Sequence, residues 1–446
     1  MRPAPWNLPL WQSLLPVGRE EQTGGYRRFS YTKADADCRV WFLAAAAERG
    51  LRAETDRNGN MWAWWDPPGG SGPGGPRSGR TREGVGRAAD DAGQGGGGAG
   101  LAAGDAGRAG AIVTGSHLDS VPDGGAFDGP LGVVSAFAAV DVLVGQGLAP
   151  VRPLGVAAFV EEEGARFGLA CLGSRLLTGV VTPQDAARLT DAGGVGLPEA
   201  MAAAGLDPGA IGAEHDLAGR IGAFVELHVE QGSALAGMGA AVGVAESIWP
   251  HGRWRIDFAG RADHAGTTRL ADRRDPMLPY AATVLAARKA AAALGALATF
   301  GKVVAEPGGS NAICASVHAW LDARAPSQQV LDDLVGSVLD AAGGSAAEHG
   351  VSVTSRCESF TPVVDFDRDL RDRVVAALAA VGIAAPVLPT GAGHDAGVLA
   401  ARLPTAMLFV RNPTGVSHSP AEHAEAADCE AGVVALAAVL AELACR

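Results

Sequence analysis

After about residue 110 the chain alternates short apolar runs with longer stretches rich in Ala, Leu and Val. The runs Ala111 to Ser116, Pro153 to Val160, Ala223 to Val229 and Ala406 to Val410 have strand length. The stretches Leu131 to Val144, Leu370 to Val381 and Ala431 to Ala444 have helical length. This alternation predicts an α/β fold, a mixed sheet sandwiched by helices. Between about Gly252 and Val353 the pattern changes to RWRIDFAG, a helix over Pro276 to Leu294, ATFGKVVAE, ASVHAWLDAR and a second helix near Gln328 to Ala342. That order predicts a separate α+β layer inserted into the first domain, so the expected organisation is 1–248, an insert at 249–360, and a return at 361–446.

Residues 67–110 break the pattern with Gly, Pro, Ser, Arg and Asp and no apolar periodicity, which predicts a disordered surface insertion. The flanking segments, Asn58 to Trp65 and Ala111 to Ser116, both read as strands, so the insertion is expected to stand in for a hairpin loop between them. At 446 residues, 48% of them apolar, the chain can fill two cores. A formal charge of −13 argues against nucleic acid or an anionic membrane as the main partner. Pro, Asn and Gln interrupt the apolar residues of the amino terminus, and charges cut every later apolar stretch well short of the ~20 residues a bilayer requires, so a cytoplasmic location is expected. The six cysteines lack the paired short spacings of a disulfide framework or a thiolate zinc site. They are expected to be buried small apolar residues, with Cys445, next to the terminus, exposed.

The ionisable residues gather at the ends of the predicted strands. His117 and Asp119 follow the first, Glu161, Glu162 and Glu163 the second, His228 ends the third, and His418 comes shortly after the fourth. Open α/β sheets bind ligands beyond the carboxyl ends of their strands, so these ends are expected to converge on one cleft. Taken singly, a His–x–Asp pair occurs by chance and a run of Glu is usually a solvated face. Joint occurrence at apolar strand ends favours chemistry. Imidazole and carboxylate together suit zinc, manganese or similar ions, and a pair of ions needs a bridging carboxylate. The segment GSHLDSVPDGGAFDG supplies His117, Asp119, Asp123 and Asp128, with Asp119 placed to accept the second imidazole N–H of His117. Three adjacent glutamates also call for a cation. His215, His318, His349 and His423 have no such context.

At these residues the chain resembles the amidohydrolase branch of the M20 metallopeptidase family, which comprises allantoate amidohydrolases, N-carbamoyl-L-amino acid hydrolases and beta-ureidopropionases. The motifs are TGSHLDSVPDGGAFDGPLGV, FVEEEGARFG, GSRLLTG, FVELHVEQG, HAGTT, SNAI, LDAR, GAGHDA and GVSHSPAEH, which cover nearly the whole chain outside the Gly-rich insertion. The resemblance implies a dinuclear centre in which Asp128 bridges two divalent ions, with His117 and His228 on one and Glu163 and His418 on the other. The ions would be manganese or zinc, with nickel and cobalt as alternatives. It further implies that Glu162 is the general base, and that His264 in the inserted layer reaches across a homodimer interface as the oxyanion donor. Asn311 and Arg324 would clamp the substrate carboxylate, and Gln231 and His394 would make further substrate contacts. From the residues alone Arg324 reads as an ordinary strand-end ion pair. His228 stands where many peptidase members carry a carboxylate, which favours the amidase branch. Arg269 and Cys314 stand where Pro is common, so the local backbone there is expected to differ. The implied substrate is a small anionic ureido compound. Allantoate is the first choice, N-carbamoyl-L-amino acids the second with the substrate of a beta-ureidopropionase behind them, and an exopeptidase or a non-catalytic binding protein the remaining readings.

Overall fold

The computed structural model describes residues 6–68 and 110–446. Most of the segment 67–110, read above as a surface insertion, lies outside the described residues. Two compact units are present: Met1–Glu246 with Phe366–Leu388 and His394–Arg446, and Ser247–Asp365 with Pro389–Gly393.

The strands of the first unit are β1 (Arg52–Thr55), β2 (Met61–Trp65), β3 (Ala111–His117), β4 (Leu154–Phe159), β5 (Ile221–Val229) and β6 (Val242–Ile248), the last running on past the unit's boundary. The second unit follows with β7 (His251–Ala259), β8 (Asp263–His264), β9 (Leu297–Glu306), β10 (Ala312–Ile313), β11 (Ser316–Arg324), β12 (Ser352–Thr361) and β13 (Val364–Asp365). The chain closes with β14 (Val387–Thr390) and β15 (Thr405–Val410).

The sheet of the first unit runs β1-β2-β4-β3-β5-β15-β6. It is mixed: β4, β3, β5 and β15 are mutually parallel, while β1, β2 and β6 run antiparallel to their neighbours. The four parallel strands are buried almost without interruption, as in LGVAAF of β4, because helices cover both faces of such a sheet. Helix Pro130–Gly145 links β3 to β4, and its buried face (Leu131, Val134, Phe137) shares one core with Leu436 and Leu440 of the helix Ala426–Ala444.

One expectation fails here. β2 and β3 are not hairpin partners, because β4 lies between them. β4 reaches that place through the helix, pairing in parallel with β3 and leaving its far edge to take β2 antiparallel. Two apolar runs adjacent in sequence do not reveal that a third will enter between them.

In the second unit the antiparallel sheet β12-β7-β11-β9 alternates strictly along β11. Val317, Leu321 and Ala323 point into a core with Leu331, Leu334 and Val338 of the helix Gln328–Glu348 and with Ala287 and Ala291 of the helix Met277–Leu294. Cys38, Cys171, Cys314 and Cys429 are buried as expected, whereas Cys357 on the edge strand β12 is exposed and Cys445 is half-buried. Arg269 has φ −62°, the angle a proline would impose, so the backbone expected to differ there keeps a proline-compatible form. No helix among the described residues is long and apolar enough to cross a membrane.

Candidate metal centre

Strand register brings the expected residues together. His117 ends β3 opposite Phe159, the last residue of β4, and His228 lies opposite Phe409 near the end of β15. Beyond β4 the chain reverses sharply. Glu161 adopts φ +55°, and the N–H groups of Cys171, Leu172 and Gly173 donate to the carbonyls of Glu162, Glu161 and Val160. This ladder fixes the three glutamates at the strand end. Gly129 is obligatory for His117, because a Cβ there would lie 2.4 Å from the imidazole Cε1, and its φ is +82°.

Around Asp128 two groups of potential ligand atoms form. His117, Asp128 and His228 make one, all buried, and Asp128, Glu163 and His418 make the other. Asp128 belongs to both, and its two oxygens divide between them. Oδ1 lies 3.4 Å from His117 Nε2 and 3.2 Å from His228 Nε2, while Oδ2 lies 3.5 Å from His418 Nε2. His418 Nε2 is also 3.5 Å from Glu163 Oε2.

Tautomers decide what such a cluster requires. His228 Nδ1 donates to the Val229 carbonyl at 2.8 Å, and His117 Nδ1 donates toward the Asp119 carbonyl at 3.1 Å, with the Asp119 carboxylate 3.4 Å away. A neutral imidazole has one N–H, so both Nε2 atoms present lone pairs to the Asp128 carboxylate. Both Nε2 atoms, and Glu163 Oε1, are buried without a hydrogen-bond partner. Acceptors that face one another in a dry site need a cation between them.

The titration directions agree. Burial raises Glu163 to about 8 and Glu161 to about 7. Burial also pushes Glu162 well above the carboxylate range despite His117. Against its own burial, His117 is held well above the usual imidazole value by Glu162, Asp119 and Asp128, so without a metal its Nε2 takes a proton whose place a metal ion would occupy. The donor set of imidazole and carboxylate therefore fits divalent metal ions.

Asp119 lies beside His117, with its main-chain carbonyl the nearer acceptor of the imidazole N–H and its carboxylate 3.4 Å away. Its carboxylate accepts the backbone N–H groups of Glu162 (3.2 Å) and Glu163 (3.1 Å), so it holds the glutamate turn as well as the imidazole. Glu162 Oε1 accepts the thiol of Cys171 at 3.3 Å, and its Oε2 lies 3.8 Å from His117 Nε2. Gln231 donates its amide to Asp128 Oδ2 at 2.8 Å. His394 is buried, its ring 4.5 Å from that of His228.

His264, Asn311 and Arg324 lie in the second unit. The first two are neighbours: β8 pairs with β10, and Ala265 donates its N–H to the Asn311 carbonyl. His264 is exposed, and its Nδ1 accepts the N–H groups of Gly266 (3.0 Å) and Thr267 (3.2 Å). The neutral ring therefore carries its proton on Nε2 and can donate from there. Arg324 forms the ion pair that its strand-end position suggested, Nε to Asp322 Oδ1 at 2.9 Å, and Nη1 donates to the Gly391 carbonyl. With a third bond from Nη2 to Asp322 Oδ2 at 3.4 Å, two of its five N–H groups remain available.

Two residues that sequence reasoning passed over hold Asp128. Glu422 Oε1 accepts the backbone N–H groups of Phe127 and Asp128, each at 2.9 Å, and the Ser417 hydroxyl donates to Asp128 Oδ2 at 3.2 Å. Both lie within GVSHSPAEH, from which only His418 had been singled out.

The chain is similar to known proteins over the same region. The family model described as peptidase family M20/M25/M40 matches residues 113–442. An N-carbamoyl-L-amino acid amidohydrolase of Geobacillus stearothermophilus is 33% identical over 435 residues, covering 96% of each chain. An allantoate amidohydrolase of Bacillus subtilis is 35% identical over 75% of this chain and 81% of its own. The crystal structure of a hydantoinase/carbamoylase family amidase from Burkholderia ambifaria superposes with a TM-score of 0.77 at 29% identity, covering 97% of this chain and 96% of that one. With the family model spanning most of its length and the ligand groups lying inside that span, the chain belongs to peptidase family M20/M25/M40.

Proposed function

We propose that the protein is a metal-dependent amidohydrolase that cleaves a ureido (carbamoyl) C–N bond, not a peptide bond, in a small carboxylate substrate. The observation that carries this reading is the division of the two Asp128 oxygens between two ligand groups, with the imidazole lone pairs turned inward. His117 and His228 would hold one divalent ion, Glu163 and His418 a second, and Asp128 both. Manganese or zinc suits these donors, with nickel or cobalt as alternatives. Such a centre, when loaded, supplies Lewis acidity to the substrate carbonyl and acidity to a water.

The remaining steps fall to the chain's own residues. Glu162 takes the proton of the attacking water on Oε2, the oxygen that Cys171 leaves free, and delivers it to the departing nitrogen. His264, with its proton on Nε2, donates to the developing oxyanion. Its exposed place on the short strand β8 of the second unit suits service to a partner subunit, so we infer a homodimer; a cytoplasmic location is a separate proposal. Arg324 and Asn311 grip the substrate carboxylate, and Gln231 and His394 complete its contacts.

Allantoate is the first choice of substrate, giving ureidoglycine, ammonia and carbon dioxide. N-carbamoyl-L-amino acids are the second reading, favoured by the near full-length likeness to the Geobacillus protein. Assays of purified, Mn²⁺- or Zn²⁺-loaded protein for ammonia from allantoate and for free amino acids from an N-carbamoyl panel separate the two. Glu162→Gln is expected to bind metal as the wild type does and to lose turnover by about 10³-fold. Wild-type protein that is inert on all ureido substrates, or that cleaves dipeptides instead, would sink the proposal.

A further inference from the structure

Glu226 is fully buried on β5, two residues before His228, and it has no part in the chemistry above. Its two oxygens are both engaged. Oε1 accepts the hydroxyl of Ser116, the neighbour of His117, at 2.7 Å. Oε2 accepts the backbone N–H of Ala396, 170 residues further along the chain, at 3.0 Å.

The second bond has an unusual setting. Ala396 is the second residue of the short helix Asp395–Leu399, whose N-cap is His394. An N-cap side chain ordinarily accepts the N–H of the second or third helical residue, a task for Ser, Thr, Asp or Asn. His394 makes no such bond. Its ring instead lies 4.5 Å from the His228 ring. The chain enters this helix directly from Pro389–Gly393, a segment of the other compact unit.

We propose that Glu226 caps this helix from a neighbouring strand, freeing the His394 imidazole from capping and fixing it against His228 for substrate contact. Glu226 is thus a positioning residue that acts through His394. The inference rests on the reading of His394 as a substrate contact. It concerns shape and hydrogen bonding, not charge. A glutamine at 226 could keep both contacts, accepting from Ala396 with its carbonyl and donating its amide to the Ser116 oxygen, whose hydroxyl then turns from donor to acceptor.

The test uses the full-length, metal-loaded protein. Glu226→Ala is expected to raise KM about tenfold while kcat changes less, and to speed amide exchange in the segment 394–399 about tenfold, the factor that corresponds to losing a helix cap. Glu226→Gln should restore both readouts to near wild type. In the double variant with His394→Ala, KM should be no higher than in His394→Ala alone, because two residues that act as one unit are not additive. Should the alanine variant fail to fold, Glu226→Asp, one methylene too short to span both partners, gives the same directions in smaller degree. Unchanged exchange at 394–399 in a folded Glu226→Ala or Glu226→Asp variant, a glutamine variant as impaired as the alanine one, or additive KM effects would each overturn the proposal. If His394→Ala itself leaves turnover intact, the substrate-contact reading falls, and exchange at 394–399 still decides whether Glu226 is the cap.

Discussion

The two ligand groups that share Asp128 differ in surroundings more than in composition. His117 and His228 are fully buried, their Nδ1 atoms tied to main-chain carbonyls. The His418 side chain is about half exposed (51%), on a residue with φ +54°, and its partner Glu163 ends a turn. The buried half is pre-formed and dry, so every unpaired acceptor in it carries the full desolvation penalty. In the other group His418 can be hydrated when no cation is present, whereas Glu163, its side chain 6% exposed and its Oε1 unpartnered, cannot. The buried group should therefore hold its ion tightly and contribute to stability, and the exposed group should exchange its ion.

Breaking the shared element should have the largest effect. Asp128→Asn removes the negative charge that the two groups share and is expected to abolish stoichiometric metal binding, measured by mass spectrometry of dialysed protein, with turnover down by about 10⁴-fold. His117→Ala comes next. It leaves Glu162 and Asp128 buried beside an empty space, and should lower affinity for the tighter-held ion at least ~100-fold in a calorimetric titration and depress Tm. His418→Ala should weaken only the looser ion, by about tenfold, with little change in Tm; equal losses in the two variants would erase the proposed difference between the halves. Glu422→Ala, which strips the acceptor from the Phe127 and Asp128 amides, should cost about 10- to 100-fold in metal affinity without touching a ligand.

The smallest effect is on pH-dependent stability. Without a metal, burial raises the Glu161 pKa to about 7 and the Glu163 pKa to about 8, from the usual 4.5. A carboxyl raised in the folded state stabilises most below its unfolded pKa, and that contribution is lost as pH rises through the folded value. Metal-free protein should accordingly melt several degrees lower at pH 8.5 than at pH 5.5, and metal should narrow the gap. A metal-free Tm that rises over this interval would contradict the picture of carboxyls in need of a cation.

Much of this was legible in the sequence because period and composition report burial. The four parallel strands appeared as apolar runs, and the residues following them lie at one end of the sheet. What stayed hidden works through the main chain. Glu422 and Asp119 accept backbone N–H groups, which every residue but proline offers, and Glu422 does so across 294 positions. Cys171 read as an apolar filler, since nothing in FGLACLG says that its thiol faces Glu162. The mistaken hairpin has a similar origin, because strand order depends on where a later strand enters.

The placement of β15 has a consequence for how the protein is made. This strand, Thr405–Val410, lies in the interior of the sheet between β5 and β6, and it leads to His418, far along the chain from the other ligands. A nascent chain carries His117, Asp128, Glu163 and His228 long before the ribosome delivers the strand that fills the gap beside them. Until then β5 and β6 each have an unpaired edge, the kind of surface that invites misassembly. Completion of the centre thus waits on β15, and chains that stop before Thr405 should neither close the sheet nor retain metal.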